Sequence, residues 1–118
     1  MSYIDAFVLP VAKKNLPAYT KVSKAASKVW MEHGAVDYRE CVVEDPKPGF
    51  GVPFPALVKA KKSEVVVFSW IMYKSRAHRD RVNAKVMKDP RLAAMCNGPT
   101  PFDLRRMATG GFKVFVKP

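Results

Sequence analysis

Two carboxylates, Asp5 and Glu40, stand in strand-like surroundings rich in aromatic side chains. Asp5 lies in "YIDAFV", flanked at alternate positions by Tyr3 and Phe7, and Glu40 lies in "AVDYRECVVE", two residues after Tyr38. A carboxylate in an apolar setting is poorly solvated. If a second one shares the space, repulsion raises the pKa of at least one of the two, and the result is a group able to exchange a proton near neutral pH. Asp5 and Glu40 are therefore the candidate catalytic acids. Tyr3, Phe7, Tyr38, Phe68 and Trp70 are the candidate ligand-stacking residues, and Arg106 is a cation able to reach an anionic ligand or Asp5. A second reading stays open for every one of these positions: the aromatics are core, and each acid pairs with an arginine, Arg39 or Arg106, in a purely structural role.

Other reactive side chains carry less. His78 stands near the start of an expected helix, as a proton carrier or a packing residue, and His33 ends the first helix, where an imidazolium complements the helix dipole. Cys41 reads as a small core residue, and Cys96 lies near a loop. No Cys/His spacing fits zinc and no histidine triad fits haem or iron, so neither metal nor cofactor is expected. The stretch "NGPTPFDLRRMATGGFKVF", residues 97 to 115, holds a double glycine. A phosphate loop needs such glycines to open a helix, where free N–H groups gather. Here Gly110 and Gly111 lead into a strand, and the stretch reads as a stiff connector in which Asp103 pairs with Arg105 or Arg106.

The elements that position these residues follow from periodicity. Residues 2–10 alternate as a strand. Leu16, Tyr19, Val22, Ser23, Ala26, Val29, Trp30 and His33 recur at helical spacing, with Asn15 as cap, Pro17 in the first turn and Gly34 as stop. Residues 35–44 form a second strand, and prolines 46, 48, 53 and 55 stiffen the loop behind it. "FPALVKA" fits a helical turn. Residues 64–74, "EVVVFSWIMYK", form the strand most apolar on both faces. Ser75 caps a helix running to about Asp89, with Pro90 at its end and "RLAAMC" adding a turn. Arg79, Asp80 and Asn83 give that helix a polar set, read as a solvated surface or as a contact at a dimer edge. A last strand, "FKVFVK", follows the two glycines.

The order strand, helix, strand, strand, helix, strand is the split βαβ pattern, an α+β ferredoxin-like domain spanning residues 1–118. By side-chain size, Ile4, Ala6 and Val8, with Val67, Ser69 and Ile71, are expected under the helices. Tyr3, Asp5, Phe7, Tyr38, Glu40, Phe68 and Trp70 are expected on the other face. Two helices cover one face only, and an open face of that kind is a large apolar patch. A homodimer packed face to face, with a barrel-like interior, removes it.

The chain has 118 residues and a formal charge of +11, with its lysines and arginines dispersed. That dispersion favours a solvated surface over a nucleic-acid footprint, so nucleic-acid binding is expected to be weak and salt-sensitive. No apolar run approaches the ~20 residues of a membrane helix. The start, "MSYIDAFVLPVAKKN", has an acid in its apolar part and no basic leader, which reads as a cytoplasmic chain without a signal peptide.

"YIDAFV", "GA…EC", "VVFSWIMYKSRAHRDRVNAKVMKDPR" and "PFDLRRMATGGF" together resemble the YbaA-like bacterial family, whose function is unknown. The resemblance runs over nearly the whole chain and is weakest from Glu44 to Ala60. It implies a ferredoxin-like subunit of the dimeric α+β barrel group and supplies no reaction. Three functions stay open at this point. The first is a small-molecule site or cofactor-independent enzyme in a homodimeric barrel. The second is a structural or interaction protein with a filled barrel. The third is a basic RNA-associated protein.

Overall fold

A computed structural model describes residues 2–95 and 100–118. Four strands, β1 (Tyr3–Ala12), β2 (Asp37–Val42), β3 (Glu64–Tyr73) and β4 (Ala108–Lys113), form one antiparallel sheet in the order β2-β3-β1-β4. The long helix α1 (Leu16–Glu32) follows β1 and α3 (Arg76–Met87) follows β3. Each helix thus links a central strand to an edge strand with the other central strand, antiparallel to both, between them, which is the ferredoxin-like arrangement. Two short helices, α2 (Phe54–Leu57) and α4 (Pro90–Met95), and two 3-10 turns complete the fold.

Local chemistry sets the boundaries. The Ser75 hydroxyl accepts the His78 amide and caps α3. Gly34 takes φ +110 just past α1, a conformation that costs other residues a Cβ clash. Asn15 makes no side-chain cap and belongs to a 3-10 turn leading into α1, with Pro17 in the helix's first turn. Pro90 opens α4 as a first-turn residue, after α3 has ended at Met87. β4 begins earlier than the sequence suggests. Gly110 and Gly111 lie inside it, opposite Ala6 and Asp5, and residues 114–117 lie beyond it. The Tyr3 ring explains the second glycine: a Cβ at Gly111 would come within 2.9 Å of ring carbons of Tyr3.

The core lies between the sheet and α1 and α3. Val29, Ile71, Tyr73, Val82 and Val86 form one buried cluster, and Leu9, Val11, Tyr19 and Val67 form another. Phe102 closes the second edge-on to Tyr19, with ring centroids 5.7 Å apart. The opposite face of the sheet is covered at one end only. There Val58, from just after α2, packs on Val8 and Val66, and Phe54 stacks on Phe68.

Register settles which residues share a face, because directly opposed residues in an antiparallel pair point the same way. Asp5 opposes Ile71, Phe7 opposes Ser69 and Tyr3 opposes Tyr73, while Tyr38 and Glu40 oppose Ile71 and Ser69 from the other side. Tyr3, Asp5, Phe7, Tyr38 and Glu40 therefore lie on the helix-covered face, contrary to the expectation from side-chain size. Phe68 and Trp70 oppose Val8 and Ala6 and lie on the open face with Ile4 and Met72. The size argument fails because Tyr3, Phe7 and Tyr38 pack against the buried clusters of the helix-covered face. Cys41 opposes Phe68 and is exposed on the open face, not a core residue. Cys96 lies outside the described residues.

Candidate functional site

Asp5 and Glu40 share a sheet face, on strands separated by β3, but Asp5 does not line the cleft that Glu40 borders. Asp5 is 7 % exposed, and Arg79 of α3 donates to its Oδ1 at 2.8 Å. Arg79 also donates to Asp80 at 2.8 Å and lies 4.9 Å above the Tyr3 ring centroid. The partner of Asp5 is thus neither Arg39 nor Arg106. Arg39 pairs with Asp37 on the surface. Next to this pair, Tyr73 and Trp30 both donate to Asn83 Oδ1, at 3.2 and 3.1 Å. Burial first, and then the charge of Asp5, push the Tyr73 phenol upward. These contacts tie α3 to β1 and α1 and leave Asp5 no open access to a ligand.

Arg106 likewise acts elsewhere. Its guanidinium forks onto Glu64 at 2.8 and 2.7 Å, and its Nε donates to Asp103 at 3.0 Å. The connector before β4 is therefore fastened to the start of β3 by a bidentate pair, and Asp103 pairs with Arg106 as its spacing suggests. The hydrogen bonds from Arg106 hold Glu64 down to about 2, against the opposing effect of burial, and the Lys61 amide adds to the lowering. A depressed carboxylate contributes stability that is complete above its unfolded value, near 4.5, and is lost as pH falls toward 2. Glu64→Gln should cost about 2 kcal/mol at pH 7. It should also flatten the loss of stability between pH 4.5 and 2, read by urea titration at a series of pH values. An unchanged acid slope would show that another carboxylate governs it.

The histidines are accounted for by packing and pairing. His33 bonds Asp89 at 2.8 Å, and Asp89 also accepts from Arg91. His78 Nδ1 accepts the Lys74 amide and its ring stands edge-on to Tyr73. Burial, followed by Lys74, Arg81 and Lys85, lowers its pKa.

Glu40 is different. The Tyr19 hydroxyl donates to its Oε1 at 2.8 Å and the Tyr38 hydroxyl to its Oε2 at 2.9 Å. Both phenols are driven upward, first by burial and then by the charge of Glu40, so both stay protonated donors. The other carboxylates that are not fully surface-exposed, Asp5, Asp37, Glu64, Asp89 and Asp103, each have an arginine or histidine within ion-pair distance. Among the described residues Glu40 has none. It borders a cleft of about 350 Å³ between α1 and the edge strand β2, walled by Leu16, Val42 and Val67, with Thr20, Ser23 and Lys24 along the helix side. Tyr38 faces this cleft too, while Tyr3, Phe7, Phe68 and Trp70 do not line it. Tyr19 and the cleft residues of α1 are the part that sequence reasoning missed. Tyr19 stood in the helical stripe as a core residue, and only the fold brings its hydroxyl to Glu40. No group of three or more possible metal ligands occurs among the described residues.

Comparison with known proteins bears on the family and the fold. The chain is 39% identical over 116 residues to the uncharacterized protein YbaA of Escherichia coli (strain K12), covering 98% of each chain, and equally similar to its counterpart in Shigella flexneri. Among solved structures, it superposes on an uncharacterized NIPSNAP domain protein from Burkholderia xenovorans with a TM-score of 0.62 at 13% identity, covering 96% of this chain and 94% of that one. It superposes on a dimeric ferredoxin-like protein from an uncultured marine organism with a TM-score of 0.60 at 12% identity, covering 100% of both. At such identities the likeness establishes the ferredoxin-like fold alone. No helix among the described residues is long and apolar enough to cross a membrane. Residues 2–104 match the model described as a protein of unknown function, DUF1428, and with its full-length similarity to YbaA the chain belongs to that family.

Proposed function

We propose that the protein is a small-molecule-binding homodimer with one site per subunit, in the cleft between α1 and β2, and with the open sheet faces packed together. The observation that carries the binding site is Glu40. A half-buried carboxylate in a chain with eleven surplus positive charges is held by two phenols and has no cation of its own among the described residues. Burying such a group without a counter-charge is costly. Its position at the mouth of an open cleft gives a ligand the role that arginines fill elsewhere in the fold. A cleft of about 350 Å³ lies within the range of small-ligand sites.

The dimer is supported by the apolar open face and by the ferredoxin-like neighbour described as dimeric. The reading as a structural protein with a filled barrel concerns that face and leaves the cleft unexplained. The dispersed basic residues support no more than weak association with nucleic acid.

The test is a fragment screen followed through backbone amide shifts. Compounds carrying a hydrogen-bond donor are expected to move Tyr19, Ser23 and Val42. Glu40→Gln should keep the fold and weaken binding about tenfold or more. Shifts confined to the open face, or binding indifferent to Glu40→Gln, would refute the assignment.

A further inference from the structure

We infer that the α1–β2 cleft takes a small zwitterion of the amino-acid type, its ammonium at Glu40, its carboxylate at Lys24 and a short apolar body between Leu16, Val42 and Val67. The inference rests on the reading of this cleft as a ligand site. It follows from an inventory of which hydrogen-bonding groups remain open. Both phenolic protons, of Tyr19 and Tyr38, go to Glu40. The Thr20 hydroxyl donates to the Leu16 carbonyl at 2.8 Å, and the Ser27 hydroxyl to the Lys24 carbonyl at 2.8 Å. Ser23 is buried. Among the cleft's side chains, those open to a ligand are therefore acceptors, namely the remaining lone pairs of Glu40, Thr20 and Ser27, with one strong donor, the Lys24 ammonium.

Charge narrows the class further. Glu40 lacks a cation, and Lys24, which lines the same cleft, has no carboxylate within ion-pair distance among the described residues. The two are not paired with each other. A net cation at Glu40 would meet Lys24 and the field of a chain at +11. A net anion at Lys24 would leave Glu40 unpaired and bring a like charge beside it. A zwitterion matches both charges and adds no net charge. The apolar walls favour an aliphatic or aromatic body over glycine. A cleft of about 350 Å³ has room for one such molecule.

The experiment titrates the protein with leucine and phenylalanine. Alongside them run the matched amines that lack the carboxylate, isopentylamine and phenethylamine, and the matched acids that lack the amine, 4-methylpentanoate and 3-phenylpropionate. Amide shifts at Tyr19, Ser23 and Val42 report the site. At least one amino acid should bind about tenfold or more tightly than its matched amine and its matched acid, the range for losing a charge-assisted hydrogen bond. Lys24→Gln should erase the advantage of the amino acid over the amine, and Glu40→Gln its advantage over the acid. An amine or acid that binds as tightly as its amino acid overturns the inference, as does an advantage that survives both substitutions. If neither amino acid moves the cleft amides while a neutral donor fragment does, the zwitterion falls and the site stands. If nothing moves them, both fall.

Discussion

Trp70→Asp is expected to turn the proposed dimer into a folded monomer, sedimenting near 13.2 kDa where a parent dimer should sediment at about twice that mass. Trp70 lies at the middle of β3, opposite Ala6 on one side and Arg39 on the other, on the face away from α1 and α3. Around it on the same face are Ile4, Phe68, Met72 and Phe112, the last 59 % exposed in the single subunit. The segment carrying Phe54 and Val58 shields only the Val8 and Val66 end. A contiguous exposed apolar patch on a monomer marks an interaction surface, and a second copy of the sheet is the partner proposed for it, with the facing sheets about 10 Å apart. A central buried aromatic in such an interface carries several kcal/mol, so replacing it with a carboxylate should raise the dimer dissociation constant about a hundredfold or more. In the isolated subunit Trp70 is partly exposed, so the new charge reaches water and a folded, native-like spectrum is expected. A parent that is monomeric at micromolar concentration, or a Trp70→Asp variant that stays dimeric, removes the open face from consideration as an interface.

The order of elements is legible in the sequence because each segment carries its own period. The α1 stripe, the Ser75 cap and the doubly apolar β3 are local signals, and the structure keeps them within a few residues. Strand faces are not local. Alternation separates Tyr3, Asp5 and Phe7 from Ile4, Ala6 and Val8, but nothing within β1 says which set meets the helices. That depends on register with β3, where Asp5 opposes Ile71. A size argument placed Trp70 and Asp5 together, and register places them apart. The double glycine is a smaller case. It reads as the lead-in to the last strand, yet both glycines lie within β4, and Gly111 is kept small by the Tyr3 ring across it. Of the candidate pair, Glu40 is where an acid with unusual surroundings was expected, but its partners come from α1 and from two residues earlier in β2. The arginine that meets Asp5 looked like one more solvated helix residue, because Arg79 differs from its neighbours Arg76 and Arg81 only in the face that α3 turns to the sheet.

That contact makes Asp5→Asn the largest expected loss of stability from a single isosteric change. Asp5 is almost completely buried and its charge is answered by Arg79, whose side chain is 20 % exposed. Asn keeps the shape and can still accept one hydrogen bond, so the change removes charge and little else. Arg79 would then remain half-buried, with Asp80 as its one carboxylate among the described residues, and the Asp80 side chain is 62 % exposed and screened by water. Breaking a buried pair in this way costs about 3 kcal/mol, and for a domain of this size a melting temperature lower by about 10 °C follows. Asp80→Asn, on the solvent side of the same arginine, should cost under about 1 kcal/mol. Removing both charges together, as Asp5→Leu with Arg79→Met, should cost less than Asp5→Asn alone, because no guanidinium is then left without a partner. Binding in the α1–β2 cleft should be unchanged in Asp5→Asn at temperatures where it is folded, since Asp5 does not line that cleft. A melt within a degree or two of the parent would show that the pair does not hold α3 to β1. A loss of cleft binding without a loss of stability would return Asp5 to the functional site.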